Sequence, residues 1–334
     1  MYCDTSININ IMCSCKNRFY EHEKILFVLP CSHIVHEKCM SYNILRAKNK
    51  YTKLICPYCK MNVTEIINED DAKNNKKYEQ IDIDLKSSKI TCNGKINYIN
   101  IPYYFIKLSH LINTTLMIHT KNDMRHYVNT IMNTFKIKIT VINNLKNNKI
   151  TQNKNKINID CEKLIYITNH SHILDGIILY YLFECGFIAS SFINSIEIGR
   201  ILAKHADLLI FKRGVDTNVV EKIKKYIDDK KKIVIFPEGS FGYSNTLLKF
   251  RTGAFYTGVP ICPIAIRYYP YIYDDDVYQN LLKLLSVSEI NVHVHLNDIC
   301  YPPFDEKKIN NVRDVIASSG NLQKSRVTNR LIVD

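Results

Sequence analysis

The most informative absence in this sequence of 334 residues is a long, uninterrupted apolar run. A helix that spans a bilayer needs about 20 consecutive apolar residues. The nearest candidate, Gly176 to Ile193, contains Glu184 and is better interpreted as a buried helix followed by a strand. Any attachment to a membrane is therefore expected to be peripheral.

A secretory signal is also missing from the N-terminus, so disulfide bonds are not expected and the predicted location is intracellular. Acidic residues are few relative to basic ones, 32 against 45, which gives a formal charge of +13. This excess predicts a polyanionic partner, either nucleic acid or an anionic membrane surface. The Asn- and Lys-rich run 143–160 lacks the aromatic residues on which bases stack. It predicts a solvated hairpin, and a membrane surface on the cytosolic side is the favoured partner.

Cysteine and histidine are concentrated in the first 59 residues, in three groups: Cys13-x-Cys15, Cys31-x-His33-x2-His36-x2-Cys39 and Cys56-Pro-Tyr-Cys59. Zinc takes four thiolate or imidazole donors in a tetrahedron, and each short pair can supply two of them. Eight candidate ligands predict two zinc ions. A domain this small hardly folds without its metal.

The segments LPCSHIVHEKC and CPYCK, the second of which has the basic Lys60 after its last Cys, resemble a RING-H2 finger in spacing. The resemblance implies a cross-braced arrangement of ligands. One zinc is then bound by Cys13, Cys15, His36 and Cys39, and the other by Cys31, His33, Cys56 and Cys59. The first pair departs from the family because only Ser14 separates its cysteines. Two interpretations stay open: a module that recruits a ubiquitin-conjugating enzyme, and a zinc-stabilised interaction module without ligase activity.

Residues 66–97 are polar and charged, and they predict a linker between a finger at 1–65 and a larger domain at 98–334. A short strand is predicted within the linker at Ile81 to Leu85. From Asn100 to Thr120, apolar residues recur at helical spacing. This amphipathic helix either lies in a bilayer interface or packs on the core of the domain.

The larger domain contains a histidine at a predicted strand end. The β-branched run from Leu164 to Ile167 ends at Asn169-His170, and an apolar helical segment begins near Asp175. If His170 occupies the turn and Asp175 the first helical turn, the carboxylate can reach the imidazole. Such a pair makes a general base whose tautomer is fixed by a carboxylate.

Four further blocks follow in order: LLIFKRG (208–214), IVIFPEGS (233–240), LKFRTGAF (248–255) and GVPICPIAI (258–266). Together with the His170 block they resemble the glycerolphosphate and lysophospholipid acyltransferase family over roughly residues 98–334. The resemblance implies an α/β fold with a mixed sheet flanked by helices. It also implies that His170 and Asp175 are the catalytic pair.

The same resemblance assigns the acceptor site. It places a phosphate-binding guanidinium at Arg213 and an acceptor-site loop at Glu238, Gly239 and Ser240. Many family members that form phosphatidate have an Arg two residues after this Gly, where this chain has Phe241. The missing charge favours a lysophospholipid as acceptor, and either Lys249 or Arg251 is a candidate replacement for it.

The function implied is O-acylation of a lysophospholipid or lysophosphatidate at a membrane surface, with acyl-CoA as co-substrate and a zinc module in the same chain. The alternative is a RING-type ubiquitin ligase or adaptor that uses a degenerate acyltransferase domain to bind lipid.

Overall fold

The structure is a computed structural model that describes residues 13–17, 19, 23–50, 52–88, 96, 101–146, 150–153, 156–195, 197–212, 218–239, 245–272 and 277–327. Strand β1 (Ile25–Leu29) pairs antiparallel with β2 (His33–His36) and β3 (Glu65–Asn68), and helix α1 (Glu37–Lys50) follows β2. The buried side chains of this small sheet form a hydrophobic core of their own. We call residues 13–88 the zinc module, for the Cys and His residues that it carries.

Two helices occupy the place of the polar linker expected for residues 66–97. They are α2 (Glu69–Asn74) and α3 (Glu79–Ser88), and Ala72, Ile81 and Leu85 are buried in the core of the zinc module. The strand predicted at Ile81 to Leu85 is therefore wrong. Its Ile-Asp-Ile-Asp-Leu alternation is typical of a strand. Asp84 is nevertheless fully buried, and Ser325 and Arg326 donate hydrogen bonds to its carboxylate. Residues 89–95 and 97 of the expected linker lie outside the described residues, as do residues 98–100 of the larger domain.

The rest of the described chain supplies the strands β4 (Ile137–Asn143), β5 (Ile150–Asn153), β6 (Lys156–Ile159), β7 (Leu164–Thr168), β8 (Gly186–Ser190), β9 (Leu209–Phe211), β10 (Lys232–Ile235), β11 (Thr246–Leu247), β12 (Ile261–Tyr269), β13 (Ile290–Leu296) and β14 (Gln323–Lys324). Its helices are α4 (Ile101–Leu116), α5 (Lys121–Thr134), α6 (Asp175–Phe183), α7 (Glu197–His205), α8 (Val219–Lys230), α9 (Val277–Ser286) and α10 (Glu306–Ser319).

Seven of these strands form one mixed sheet in the order β4-β13-β12-β7-β10-β8-β9. The five from β12 to β9 run parallel, whereas β13 is antiparallel to β12. The predicted fold class, an α/β fold whose mixed sheet is flanked by helices, is confirmed. Strands β5 and β6 form the hairpin predicted for the Asn- and Lys-rich run.

Strand β7 lies at the centre of the sheet, and all five of its residues are buried. Leu164 and Tyr166 face one hydrophobic core, which includes residues of α5 and α6. Ile165 and Ile167 face a second core, which includes residues of α8 and α10. A strand that is covered on both faces has a continuous apolar sequence. In α/β folds, binding and active sites commonly lie at the carboxyl ends of such strands.

Helix α4 confirms the amphipathic helix and packs against α5 and α9. The buried face is rotated from the one that the apolar pattern predicts. Lys107 is buried, and its Nζ lies 3.5 Å from the carbonyl oxygen of Leu285, while Phe105 and Ile106 are about two-thirds exposed. Burial lowers the pKa of Lys107. Among the described residues, no helix combines the length and the apolar character needed to cross a bilayer.

Candidate active site

The carboxyl ends of β7 and β10 define the candidate site. The two strands are parallel neighbours, with Ile235 paired to Ile167. The turn that follows β7 carries Asn169 and His170, and the turn that follows β10 carries Glu238 and Gly239. Because parallel strands end at the same edge of a sheet, residues 68 positions apart in the chain come into contact there.

The side chain of Asn169 fixes the start of the first turn. Its Oδ1 accepts a hydrogen bond from the backbone N–H of Ile266 at 2.8 Å, and its Nδ2 donates to the carbonyl of Ile266 at 3.0 Å. The amide thus extends the pairing of β7 with β12 by one residue. Asn169 is buried, so the position at which the chain leaves the sheet is well defined.

His170 and Asp175 form the contact that the sequence predicts. Nδ1 of His170 lies 2.8 Å from Oδ2 of Asp175, the first residue of α6. The same oxygen accepts the backbone N–H groups of Ser171 and His172 at 2.8 and 3.0 Å. The imidazole stacks on the ring of Phe236 with centroids 4.0 Å apart, and 20% of its side chain is exposed. The ring is therefore oriented from two sides and still reachable by a substrate.

Tyr268 completes the surroundings of Asp175, and sequence reasoning missed it. Its hydroxyl donates to Oδ1 of Asp175 at 2.5 Å. Burial and the neighbouring carboxylate raise the pKa of Tyr268 well above its ordinary value, so the phenol keeps its proton. The available signal was the alternation of β12, in which Ile264, Ile266 and Tyr268 face the same core.

Glu238 is fully buried beneath the turn rather than exposed beside it. Its Oε1 accepts the backbone N–H of His170 at 2.7 Å, and its Oε2 accepts that of Leu248 at 2.8 Å. Burial raises the pKa of Glu238 to about 8, against the two backbone donors, which lower it. The family resemblance places Glu238 in the acceptor-site loop. In the structure both of its oxygens bind the backbone, and it connects two segments of chain.

Gly239 has a positive φ of 77°, a backbone conformation that residues other than glycine rarely adopt. A Cβ at this position would lie 2.7 Å from Nε of Arg251, so the guanidinium of Arg251 packs across the bare backbone. The backbone N–H of Arg251 also donates to the carbonyl of Pro237 at 2.8 Å. The structure therefore brings Gly239 and Arg251 together. The predicted site residues Arg213 and Ser240 lie outside the described residues.

His172 is a packing residue, and it lies two positions after the candidate base His170. It is almost fully buried and stacks on Tyr268 with centroids 4.4 Å apart. Its Nδ1 accepts the backbone N–H of Leu174 at 3.1 Å. Burial lowers the pKa of His172 to about 4, so the ring is neutral and supports the turn.

The zinc module carries two groups of possible metal ligands. The first consists of Cys13, Cys15, His36 and Cys39, and the second of Cys31, His33, Cys56 and Cys59; within each group the ligand atoms all lie within 4.8 Å of one another. The pairs alternate between the groups along the chain, which is the predicted cross-braced arrangement. Although only Ser14 separates Cys13 from Cys15, both cysteines lie within reach of the same metal ion.

The donor chemistry of both groups fits zinc. Each offers three sulfur atoms and one imidazole nitrogen, a set found at structural zinc sites. In the first group, Nδ1 of His36 lies 3.4 Å from Sγ of Cys15, and its Nε2 lies 3.1 Å from the carboxylate of Glu23. A carboxylate on the far nitrogen is the usual support of a metal-binding histidine. Sequence reasoning missed Glu23, which follows Cys15 by eight residues.

Comparison with known proteins bears on the segment that holds the candidate active site. The family model described as Acyltransferase matches residues 138–267. This range includes every residue that the sequence assigns to catalysis or acceptor binding.

Several curated acyltransferases are similar to this chain. Lysophospholipid acyltransferase LPEAT1 of Arabidopsis thaliana is 28% identical over 179 residues, which are 47% of this chain and 44% of that protein. The lyso-ornithine lipid O-acyltransferase of Pseudomonas aeruginosa is 25% identical over 150 residues, or 40% of this chain and 58% of that protein. The chain thus spans less than half the length of the plant relative.

Among solved structures, the 1-acyl-sn-glycerophosphate (LPA) acyltransferase PlsC from Thermotoga maritima aligns with a TM-score of 0.43 and 17% sequence identity. The alignment covers 67% of this chain and 91% of that chain.

Proposed function

We propose that this chain is an O-acyltransferase that moves an acyl group from acyl-CoA to a hydroxyl of a lysophospholipid or lysophosphatidate. The observation that carries the proposal is the 2.8 Å contact between His170 and Asp175 at the end of a central strand. That contact lies inside the segment matched by the Acyltransferase family model. The contact supports a general-base role for His170, and the family match supports acyl transfer as the reaction.

In the proposed reaction, the acceptor hydroxyl donates its proton to Nε2 of His170 as its oxygen attacks the thioester carbonyl. Asp175 holds the proton on Nδ1 and stabilises the imidazolium that forms. The carbon–sulfur bond then breaks, and the leaving thiolate of CoA takes the proton from the imidazolium. The products are the acylated lipid and free CoA, so the histidine ends the cycle neutral.

For the acceptor, we propose a lysophospholipid with a head group, in line with the relatives named as lysophospholipid acyltransferases. The second Arg of the phosphatidate-forming pattern is absent, because Phe241 stands in its place. We assign Arg251 to the acceptor phosphate. Its guanidinium packs over Gly239 beside the buried Glu238.

The test is to incubate the purified full chain with radiolabelled acyl-CoA and a panel of lysolipids. We expect labelled diacyl product from at least one lysolipid and none from His170→Ala. The matched control is His126→Ala, which removes an exposed imidazole on α5. Product from His170→Ala at the rate of the wild type, or none from the wild type with any lysolipid, would overturn the proposal.

We also propose that the chain docks on an anionic membrane surface through α4 and α9. Phe105, Ile106, Leu116 and Met117 are exposed at or just after α4, and Tyr278 is exposed on α9, which packs against α4. Exposed apolar patches of this kind mark interaction sites, and a net charge of +13 favours an anionic partner.

A flotation assay tests the docking proposal. The full chain should float with vesicles of phosphatidylcholine and phosphatidylserine, and the double variant Phe105→Glu/Ile106→Glu should stay at the bottom of the gradient. The control is Tyr42→Glu/Leu45→Glu, which places the same two negative charges at exposed residues of α1. Equal flotation of the double variant and the wild type would contradict the assignment of α4.

A second candidate function, that of a ubiquitin ligase or adaptor, is favoured only by the two interleaved Cys and His groups. It predicts ubiquitin transfer by the full chain in the presence of a ubiquitin-conjugating enzyme, unchanged by His170→Ala. An absence of transfer with a panel of such enzymes would leave a zinc-stabilised interaction module.

A further inference from the structure

One buried carboxylate of the zinc module binds the other end of the chain. Asp84 on α3 is fully buried, and its Oδ2 accepts from the guanidinium of Arg326 at 2.8 Å. Its Oδ1 accepts from the hydroxyl of Ser325 at 3.0 Å and from the backbone N–H of Arg326 at 2.8 Å. A buried carboxylate costs free energy unless it is paired in this way, so α3 and residues 325–326 are held together tightly.

The bound segment immediately follows β14, and β14 pairs in parallel with β11. The pairing extends past the two strands, since Ser325 donates to the carbonyl of Leu247 at 2.9 Å and Lys249 to that of Val327 at 2.9 Å. The guanidinium of Arg313 on α10 donates to the carbonyls of Leu247, Leu248 and Ser325. We call this pair of segments, 245–249 and 323–327, the ribbon.

The ribbon lies between two hydrophobic cores. Leu247 is buried in the core that covers one face of the main sheet, and its neighbour Leu248 is buried in the core of the zinc module, as is Val327. Successive residues of an extended chain point in opposite directions, which explains the split. The packing of the zinc module therefore fixes the position of Leu248.

Leu248 is also the residue through which the ribbon reaches the candidate active site. Its backbone N–H binds Oε2 of Glu238, and the other oxygen of Glu238 binds the backbone N–H of His170. Two hydrogen bonds thus separate the ribbon from the histidine that Asp175 orients. Glu238 is fully buried, so water does not compete for either bond.

We propose that Asp84 is a positioning residue for His170, and that the zinc module orders the candidate active site through the ribbon and Glu238. The zinc module is then a structural part of the catalytic unit. Loss of its order loosens the turn at His170 without removing any group that contacts substrate.

The test compares Asp84→Asn with Asp82→Asn in the full chain. Asp82 lies on the same helix and pairs with Lys86 of that helix, so it is the matched control. Hydrogen–deuterium exchange is followed in peptides that contain the amides of His170 and Leu248. We expect exchange at both amides to rise on the order of tenfold in Asp84→Asn and to stay unchanged in Asp82→Asn. The zinc content of both variants should equal that of the wild type.

Ser325→Ala serves if Asp84→Asn fails to fold: it removes the hydrogen bond that the hydroxyl donates to Asp84 and the one that it accepts from the backbone N–H of Val327. We expect a smaller rise in exchange at the same two amides. Chelation of zinc from the wild-type chain should raise exchange at His170 as well as within residues 25–67. Exchange at His170 that stays at the wild-type level, while residues 323–327 loosen, would overturn the proposal.

The kinetic readout rests on the proposed function. Asp84→Asn should lower kcat for acyl transfer on the order of tenfold and leave KM for the lysolipid nearly unchanged, because Asp84 lies in the zinc module and acts only through the backbone of His170. If the wild type transfers no acyl group, the proposed function fails, and the exchange experiment still decides the role of Asp84.

Discussion

The hydroxyl of Tyr268 donates a hydrogen bond to Oδ1 of Asp175, while Oδ2 of the same carboxylate lies 2.8 Å from His170. The carboxylate thus has a fixed partner on each oxygen, one from the end of β12 and one from the turn after β7. Asp175 is fully buried, so its orientation is set by these partners and by two backbone N–H groups.

The first prediction concerns Tyr268→Phe, which leaves Oδ1 of Asp175 without its hydroxyl donor. A hydrogen bond to a charged group contributes about 1.5 to 3 kcal/mol, so the free energy of unfolding should fall by about 2 kcal/mol. If the hydroxyl also orients the carboxylate, kcat for acyl transfer should fall about tenfold with it. Denaturant unfolding and initial-rate kinetics measure the two effects.

The neighbouring Tyr269 provides the control, because its side chain is about half exposed. Tyr269→Phe should change neither quantity. A Tyr268→Phe protein with the stability and kcat of the wild type would show that the hydroxyl is dispensable.

The second prediction concerns Asp175→Asn. The substitution replaces one carboxylate oxygen, an acceptor, with an NH2 group, a donor. It also removes the negative charge that stabilises the imidazolium of His170. We expect kcat for acyl transfer to fall by about 10² to 10⁴, the range that a positioned general base contributes. Steady-state kinetics measure the loss, and Asp228→Asn, which changes an exposed carboxylate, is the control. Equal losses in both variants would point to an effect outside the site.

The third prediction is the pH dependence of stability caused by Glu238. Its pKa is about 8 in the folded chain, against an ordinary value of 4.5. Between these values the folded state binds more protons than the unfolded state, so the free energy of unfolding falls as pH rises. His172, whose pKa is lowered to about 4, acts in the opposite direction up to about pH 6.5. The decline should therefore emerge above pH 6.5, at up to about 1.4 kcal/mol per pH unit.

Urea unfolding at pH 6.5, 7, 7.5 and 8 measures this slope. In Glu238→Gln the slope should be much smaller, because the titrating group is gone. A wild-type stability that is constant or rising over the interval would show that Glu238 is ionised throughout it.

The fourth prediction concerns metal content. We expect about two zinc ions per chain by elemental mass spectrometry, one for each Cys and His group. Cys59→Ser removes a thiolate from the second group and should lower the content to about one. Cys300→Ser, a cysteine outside both groups, should retain two. An unchanged content in Cys59→Ser would rule out zinc in that group.

Sequence reasoning located the parts of the site that depend on short spacing. His170 and Asp175 are five residues apart, and one turn brings them together. The Cys and His groups follow from pairs separated by one or two residues. In both cases the local geometry is decided by a few backbone dihedrals.

Contacts between distant residues were out of reach. Asn169 and Ile266 are 97 positions apart, and Tyr268 and Asp175 are 93 apart. Their pairing depends on the placement of β12 beside β7, which no local pattern specifies. Glu238 was recognised as a site residue, but its two backbone partners depend on the same long-range packing.

The alternation at residues 81–85 misled for a related reason. A buried Asp is exceptional, so the pattern favoured an exposed face for Asp84. Its burial is compensated by Ser325 and Arg326, which lie 241 and 242 positions away. The local sequence around Asp84 therefore could not predict that these residues would pair with it.

Leu247 and Leu248 are covalent neighbours, yet each is buried in a different core. A chain trimmed to begin after residue 97 would leave Leu248 and Val327 exposed to water and Arg326 without its carboxylate. Such a fragment is expected to aggregate or to lose activity even with every reacting group present. Dividing this protein at a boundary chosen by sequence motif would thus remove the packing that fixes Leu248 and, through Glu238, the turn at His170.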